Sequence, residues 1–276
     1  MERTVIPQFD IELKLLLEAI YFKYDYDFRH YAPASMKRTL VHAMNRIGCH
    51  TLGVLQEKVL QDTERFYDLL QSLTIPVSEM FRDPSYFLAL REKVLPHLQT
   101  YPSLKIWVAG CSTGEEAYSL AILLQEEGLL ERAIIYATDI NPRSLEKAEK
   151  GALGLDAIQK FTQNYQESGG KRSLSDYYTV AFDSVKFNKA LKKNITFTDH
   201  SLVTDAVFSE TNLISCRNVL IYFDRGLQDR TFGLFYESLC LKGFLGLGAQ
   251  ETIQFSKHAK HFDPFVKKDR IFQKKG

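Results

Sequence analysis

Over residues 1–75 apolar positions recur at helical spacing, and no alternating stretch interrupts them. Ile11, Leu13, Leu15, Leu16, Leu17, Ala19 and Ile20 form one dense helical run. A second helix is predicted from near Ser35, carrying Leu40, Val41, Ala43, Met44 and Ile47 and stopped by Gly48. Thr51-Leu52 opens a third with Leu55, Val59 and Leu60, and Thr63 is expected to cap a fourth with Phe66, Leu69 and Leu70. The pattern predicts a small all-α domain over 1–75. Pro76 breaks it, and residues 76–98 read as a linker with a connecting helix from Pro84 to Leu98.

From Lys105 the period changes. Ile106-Trp107-Val108-Ala109 is a short apolar run that enters a Gly/Ser/Thr turn, and Glu115 to Glu127 is again helical. Ala133 to Asp139 is a second strand ending in an acid, with a helix over Ser144 to Glu149. This β-turn-α-β-acid-α order is that of a doubly wound parallel sheet, an α/β fold occupying 99–276. Within it, residues 155–195 are irregular and read as a small antiparallel β-subdomain, with strands at Tyr177–Val180 and Val185–Phe187. The sheet pattern returns at Ile195–Phe197 and Asn212–Cys216. A helix over Leu227–Cys240 then precedes a glycine-interrupted strand at Phe244–Gly248, and Ile271–Gln273 is expected to close the sheet as a hairpin.

At 45% apolar and 25% charged, the 276 residues suffice for one large or two modest folded units. A formal net charge of +1 supplies no basic field for nucleic acid, so no nucleic-acid partner is expected. Cys49, Cys111, Cys216 and Cys240 stand far apart, which argues against a zinc site or a disulfide framework and fits a reducing compartment. Met1-Glu2-Arg3-Thr4 leads into no apolar stretch, and no run approaches the ~20 residues of a membrane span. The expectation is a cytoplasmic monomer without membrane insertion and without a metal. Local basic clusters remain at Lys37-Arg38 with His42 and Arg46, and in the Lys267–Lys275 tail.

A strand, a small-residue turn and a helix start make a ligand cradle, because glycines let backbone N–H groups approach the ligand. Here Gly110 and Gly114 are spaced GxxxG and Glu115-Glu116 opens the helix. Two acids where a pyrophosphate would sit are electrostatically wrong for a dinucleotide. They suit a cation-bearing ligand, and S-adenosylmethionine carries a sulfonium and an ammonium; alternatively the acids simply complement the helix start. Asp139, 25 residues after Gly114, has the position of an acid that binds ribose hydroxyls, or else of an N-cap or Asx-turn residue before Asn141-Pro142. Arg217-Asn218 ends a mid-sheet strand, at the crevice where open α/β sheets bind ligands.

The strings SEMFR (Ser78–Arg82), WVAGCSTGEEAYSLAI, ATDIN, CRNVLIYF and LGAQE, in one order over residues 10–272, resemble the CheR family of chemotaxis-receptor glutamate O-methyltransferases. The resemblance implies a class I S-adenosylmethionine-dependent methyltransferase fold with a small β-subdomain, preceded by an all-α domain. It implies S-adenosyl-L-methionine as cofactor, S-adenosyl-L-homocysteine as product, and the helical cytoplasmic region of a chemoreceptor as partner. Carried over by position, Ser78, Arg82, Glu116, Asp139, Ser201, Leu202, Arg217 and Asn218 would contact the cofactor, and Tyr222 would lie near the transferred methyl. The sequence departs from the family at Pro76, where an Asn is usual, at Met80 in the FFR-type string, at Ser201, and at Gly248-Ala249-Gln250-Glu251 in place of GHSE.

A glutamate acceptor with pKa near ~4.3 is already ionised at neutral pH, so no general base is needed and none of the seven histidines requires a catalytic role. Arg82 is expected to orient the acceptor by charge, with Tyr222 as a neutral donor. Arg38, His42 and Arg46 follow an i, i+4, i+8 series, so with Lys37 they form a candidate docking face for an acidic receptor helix. Three alternatives stay open: a regulatory module that binds the cofactor without turnover, a methyltransferase for a non-receptor signalling protein, and an NAD-dependent oxidoreductase. The absent GxGxxG counts against the last.

Overall fold

The computed structural model describes residues 7–181 and 184–276, so the opening Met1–Thr4 lies outside the described residues. The chain divides into two compact units, one of residues 1–76 with 222–228 and the other of 77–221 with 229–276.

The first unit holds α1 (Gln8–Tyr24), α2 (Pro33–Ile47), α3 (Leu52–Gln61) and α4 (Thr63–Leu73). Each buries one apolar stripe, among them Leu16 and Ile20 of α1, Leu40 and Ala43 of α2, Leu55 and Val59 of α3, and Leu69 and Leu70 of α4. Gly48 ends α2 in a left-handed conformation, and the Thr51 hydroxyl accepts the Val54 N–H at the start of α3. The cap of α4 differs from expectation: Asp62, not Thr63, accepts from the Glu64 N–H, its carboxylate presenting an acceptor that Thr63 then follows as the first helical residue. Residues 222–224 add a short extended contact here. Ala32 N–H donates to the Tyr222 carbonyl (2.8 Å), Asp224 N–H to that of His30 (2.9 Å), and the Tyr31 and Phe223 rings meet edge to face.

The second unit opens with α5 (Pro84–Ala89), a π-helical stretch at Leu90–Val94 and α6 (Leu95–Leu98). Then come β1 (Leu104–Ala109), α7 (Glu115–Glu126), β2 (Ala133–Asp139), α8 (Pro142–Lys150), β3 (Ala152–Gly154), α9 (Ile158–Glu167), β4 (Tyr178–Ala181), β5 (Ser184–Phe187), α10 (Lys189–Lys192), β6 (Ile195–Asp199) and β7 (Thr211–Cys216). The boundary between units falls inside α11 (Arg225–Ser238), after which β8 (Leu239–Leu247), β9 (Phe262–Val266) and β10 (Ile271–Lys274) finish the chain.

The main sheet runs β6-β2-β1-β7-β8-β10-β9, with β1, β2, β6, β7 and β8 parallel and β10 antiparallel to both its neighbours. The chain therefore winds outward from β1 to β2 and β6, then returns to lay β7 on the other side. The carboxyl ends of β1 and β7 meet at this switch, the usual ligand position in open α/β sheets. A second sheet, β3-β5-β4, is antiparallel.

Two sequence expectations shift. The strand expected from Phe244 begins at Leu239, and the helix before it ends at Ser238, because Thr211 pairs with Leu239 ahead of an irregularity in the β7–β8 register. The region 155–195, read as irregular, contains α9, whose buried Phe161 and Tyr165 sit four apart on one face.

Candidate functional site

The turn between β1 and α7 is held against the end of β2. Gly110 and Cys111 N–H groups both donate to the Thr138 carbonyl at 2.8 Å, and Ser112 N–H donates to Asp139 Oδ2 at 2.8 Å. Gly110 and Gly114 have φ of 78° and 93°, and a Cβ would come within 2.4 Å of Val219 and 2.9 Å of Ala148 respectively. Left-handed backbone and close packing therefore both require glycine at these two positions. Asp139 also accepts from Asn141 N–H (2.9 Å), the Asx-turn arrangement, while Asn141 itself caps α8. Burial pushes the Asp139 carboxyl up, against the backbone N–H groups that favour its charge.

The two acids that open α7 have different fates. Glu115 is buried with the Thr113 hydroxyl at 2.8 Å, and burial raises its pKa against hydrogen bonds that include one from Ser78. Glu116 Oε1 accepts from the Ser215 hydroxyl (2.6 Å), which leaves the Tyr86 hydroxyl to donate to Ser215 (2.7 Å). Glu116 Oε2 pairs with Arg217 at 3.1 Å. The Arg217 side chain is 1% exposed; its guanidinium also donates to the Arg82 carbonyl (2.8 Å) and Asp83 (2.7 Å) and lies over the Tyr86 ring. Arg217 is accordingly a buried latch between α7 and the 82–83 turn, the geometry of a positioning group rather than an open ligand contact. Arg82 is half-exposed, and its side chain has no hydrogen bond or ion pair among the described residues.

Glu251, which the sequence showed only as the last letter of an altered string, closes the other side. One carboxylate oxygen accepts from the Val219 (2.9 Å) and Leu220 (2.8 Å) N–H groups, the other from Asn218 (3.1 Å) and Gly248 (2.6 Å). Asn218 sits at φ 61°, and a Cβ on Gly248 would meet Glu251 at 2.7 Å. The family departures at Ala249 and Gln250 fall on exposed positions, whereas Gly248 and Glu251 make the clasp. Retention of the outer letters G and E was the signal available in the sequence.

After β6, the Ser201 hydroxyl accepts the Val203 and Thr204 N–H groups in a turn, and the buried Leu202 offers its carbonyl to Arg230 at 2.8 Å. His200 N–H donates to the Asp139 carbonyl, which brings this loop beside the end of β2. Ser78, Arg82, Gly110, Gly114, Glu116, Asp139, Ser201, Leu202, Arg217 and Asn218 all belong to the second unit. Tyr222 belongs to the first, half-buried, with its carbonyl on Ala32. On α2, Arg38 and His42 are exposed, but Lys37 pairs with Asp10 and Arg46 donates to the Asp68 carbonyl. Two of the three proposed docking cations are thus already engaged within their own unit.

The Ser112 hydroxyl oxygen is buried in the cradle with no hydrogen-bond partner among the described residues. The Ser112 N–H is held by Asp139, so the turn carries a free hydroxyl and a carboxylate that suit a polar, cationic ligand. It offers nothing to a pyrophosphate. A seven-stranded sheet of this order, with acids opening the helix after the first strand and an acid ending the second, is that of a class I S-adenosylmethionine-dependent methyltransferase. Residues 76–270 match the family model described as CheR methyltransferase, SAM binding domain, and residues 11–74 match CheR methyltransferase, all-alpha domain. The chain belongs to the CheR methyltransferase family and binds S-adenosylmethionine, which sets aside the dinucleotide reading.

Among its relatives is Cher3 of Pseudomonas putida, which bears a methyltransferase's name with no acceptor in it; identity is 58% over 96% of this chain and 97% of that one. The chemotaxis protein methyltransferase of Listeria monocytogenes is 30% identical over 82% of this chain and 84% of its own. That of Vibrio parahaemolyticus is 31% identical over 67% of each. No helix among the described residues is long and apolar enough to cross a membrane.

Proposed function

We propose that the protein esterifies glutamate side chains in the helical cytoplasmic region of chemoreceptors, with Arg82 as the group that orients the accepting carboxylate. The observation that carries this is the contrast between neighbouring arginines. Arg217 is enclosed and its charge is matched by Glu116 and Asp83, whereas Arg82, held in the same turn by its own carbonyl, keeps its guanidinium available. When bound, S-adenosylmethionine would supply a sulfonium-bound methyl; the acceptor oxygen would gain a bond to carbon as the S–C bond breaks, whose electron pair would stay on sulfur.

A carboxylate acceptor is ionised at neutral pH and has no proton to lose. Arg82 would desolvate and align it, and positioning of this kind contributes up to about 7–11 kcal/mol at the ideal limit. The ester formed is neutral, so the same guanidinium releases the product more readily than it holds the substrate. Ser78, Glu116, Asp139, Ser201, Leu202, Arg217 and Asn218 are assigned to holding the cofactor or the loops around it, and Gly110 and Gly114 to shaping the turn. Tyr222 is assigned as a neutral donor; its support is its place in the CRN string. Arg38, with His42, Lys37 and Arg46 beside it, is assigned to docking the receptor helix.

The test is transfer of labelled methyl to receptor fragments, with base lability of the product marking an ester. Arg82→Ala is expected to lower kcat about 100-fold, the scale of losing one preorganised charge contact, with S-adenosylhomocysteine affinity within about threefold measured by calorimetry. Equal loss of both would reduce Arg82 to a cofactor ligand.

A further inference from the structure

Helix α1 is apolar on two opposite sides. Leu13, Leu16, Leu17 and Ile20 turn inward and are buried, Leu16 and Ile20 completely. Ile11, Leu15 and Phe22 lie on the other side, 48%, 56% and 80% exposed. At about 100° of rotation per residue, these three fall within about 40° of one another, so they form one straight row. A helix that is apolar on opposite sides belongs with a partner on each. Its own unit covers the inner side, and a contiguous outward row of large apolar side chains marks an interaction surface.

The polar residues beside the row decide what fits it. Lys14 and Glu18 stand on one edge with Tyr21, and Glu12 and Lys23 on the other with Gln8 and Ala19. Glu18 also pairs with Arg29 at 3.2 Å, Glu12 accepts from Gln8 at 2.7 Å, and the Lys23 amine donates to the Leu60 carbonyl. Each edge carries one charge of each sign, so the row selects neither an acidic nor a basic partner. It is, however, complementary to itself. Turned end for end, with Ile11 opposite Phe22 of the partner subunit, α1 sets Lys14 beside the partner's Glu18 and Glu12 beside the partner's Lys23. Two-fold symmetry makes each of these contacts twice, and opposed helix dipoles favour this direction.

We propose that Ile11, Leu15 and Phe22 of α1 form a two-fold, antiparallel interface with a second copy of this chain. The proposal is independent of the acceptor that is methylated, and it departs from the monomer expected from sequence. One helix pair buries less than a standard interface, so the dimer is expected to be weak, with Kd about 10 μM.

The test is sedimentation equilibrium of the full chain across the micromolar range. Leu15→Glu and Phe22→Ser are each expected to raise the dimer Kd at least tenfold, because each change strikes the interface twice. Both positions face water, so the urea midpoint should stay at the wild-type value. Direction is read by cross-linking: in a Cys240→Ser background, Ile11→Cys and Phe22→Cys chains should join to each other through a short bismaleimide, and neither should join to itself. A wild type that stays monomeric throughout, a dimer that both variants leave unchanged, or like-with-like cross-linking would each overturn the proposal. So would a monomer whose binding to receptor fragments weakens in Phe22→Ser, which gives the row to the acceptor, or one that dimerises only once residues 1–6 are deleted, which gives it to that segment.

Discussion

At the carboxyl edge of the second unit's sheet, Glu116, Asp139, Arg217 and Glu251 are withdrawn from water and each is matched by partners; on the outer face of α2, Arg38 and His42 stand in solvent with none among the described residues. The backbones differ in the same sense. Phe81, Asp83, Ser112 and Asn218 all have positive φ around the cradle, while α2 is a regular helix up to its glycine stop. Left-handed conformation in non-glycine residues persists only where surrounding bonds impose it. The cradle therefore has the features of a preformed site for one small ligand. The α2 face has those of a surface that acts on a partner by charge at longer range, and it contributes little to folding.

The largest expected effect tests the enclosed side of that contrast. Arg217→Ala leaves Glu116 and Asp83 without their cation and removes the cover from Tyr86. Breaking one partner of a buried pair typically costs about 3–5 kcal/mol, and that loss should appear in urea unfolding together with weakened S-adenosylhomocysteine binding. A loss below about 1 kcal/mol would mean that the latch is not what holds the turn.

Glu251→Gln comes next. The amide keeps one acceptor for the four N–H groups and presents two donors of its own, so a loss of about 2 kcal/mol is expected from unmatched buried donors. Its pH dependence has a definite sign. Burial raises the folded pKa of Glu251 above its unfolded value, so the folded chain binds more protons and this group's contribution falls as pH rises through the window between the two. The wild-type margin over Glu251→Gln should accordingly be larger at the acid end of that window than at neutral pH. A margin that grows with pH would show that Glu251 ionises more easily in the fold than in the open chain.

That clasp also marks the limit of what the sequence revealed. The helices of the first unit, the β-turn-α-β-acid order and the two small strands were legible because period and glycine stops are local signals. So was the place of Glu116 at a helix start and of Asp139 and Arg217-Asn218 at strand ends. What Arg217 bonds to was not legible, since Arg82 and Asp83 lie 135 and 134 residues away. Nor was Glu251, whose partners are backbone groups that carry no signature of their own. The glycine pair was read as room for a ligand, yet the contacts that require it are Val219 and Ala148, again distant in sequence. Asp62 in place of Thr63 was a different error: two good capping residues stand side by side, and propensity alone does not choose between them.

The smallest expected effect tests the exposed side. Arg38→Glu removes no hydrogen bond or ion pair among the described residues and should change stability by no more than about 0.5 kcal/mol. If α2 meets an acidic receptor helix, the reversal should raise acceptor KM about tenfold at low ionic strength and leave kcat at saturating acceptor unchanged. The effect should fade toward ~1 M salt, where screening acts over about 3 Å. Arg46→Glu is the less clean probe, because Arg46 also donates to the Asp68 carbonyl and sits in the last turn of α2, where a cation suits the helix end. Its expected stability loss, about 1 kcal/mol, would accompany any change in KM. Arg38 alone therefore decides the matter: an unchanged KM for Arg38→Glu at low salt would remove α2 as the docking face, and the contrast drawn above would then describe only how a helix meets water.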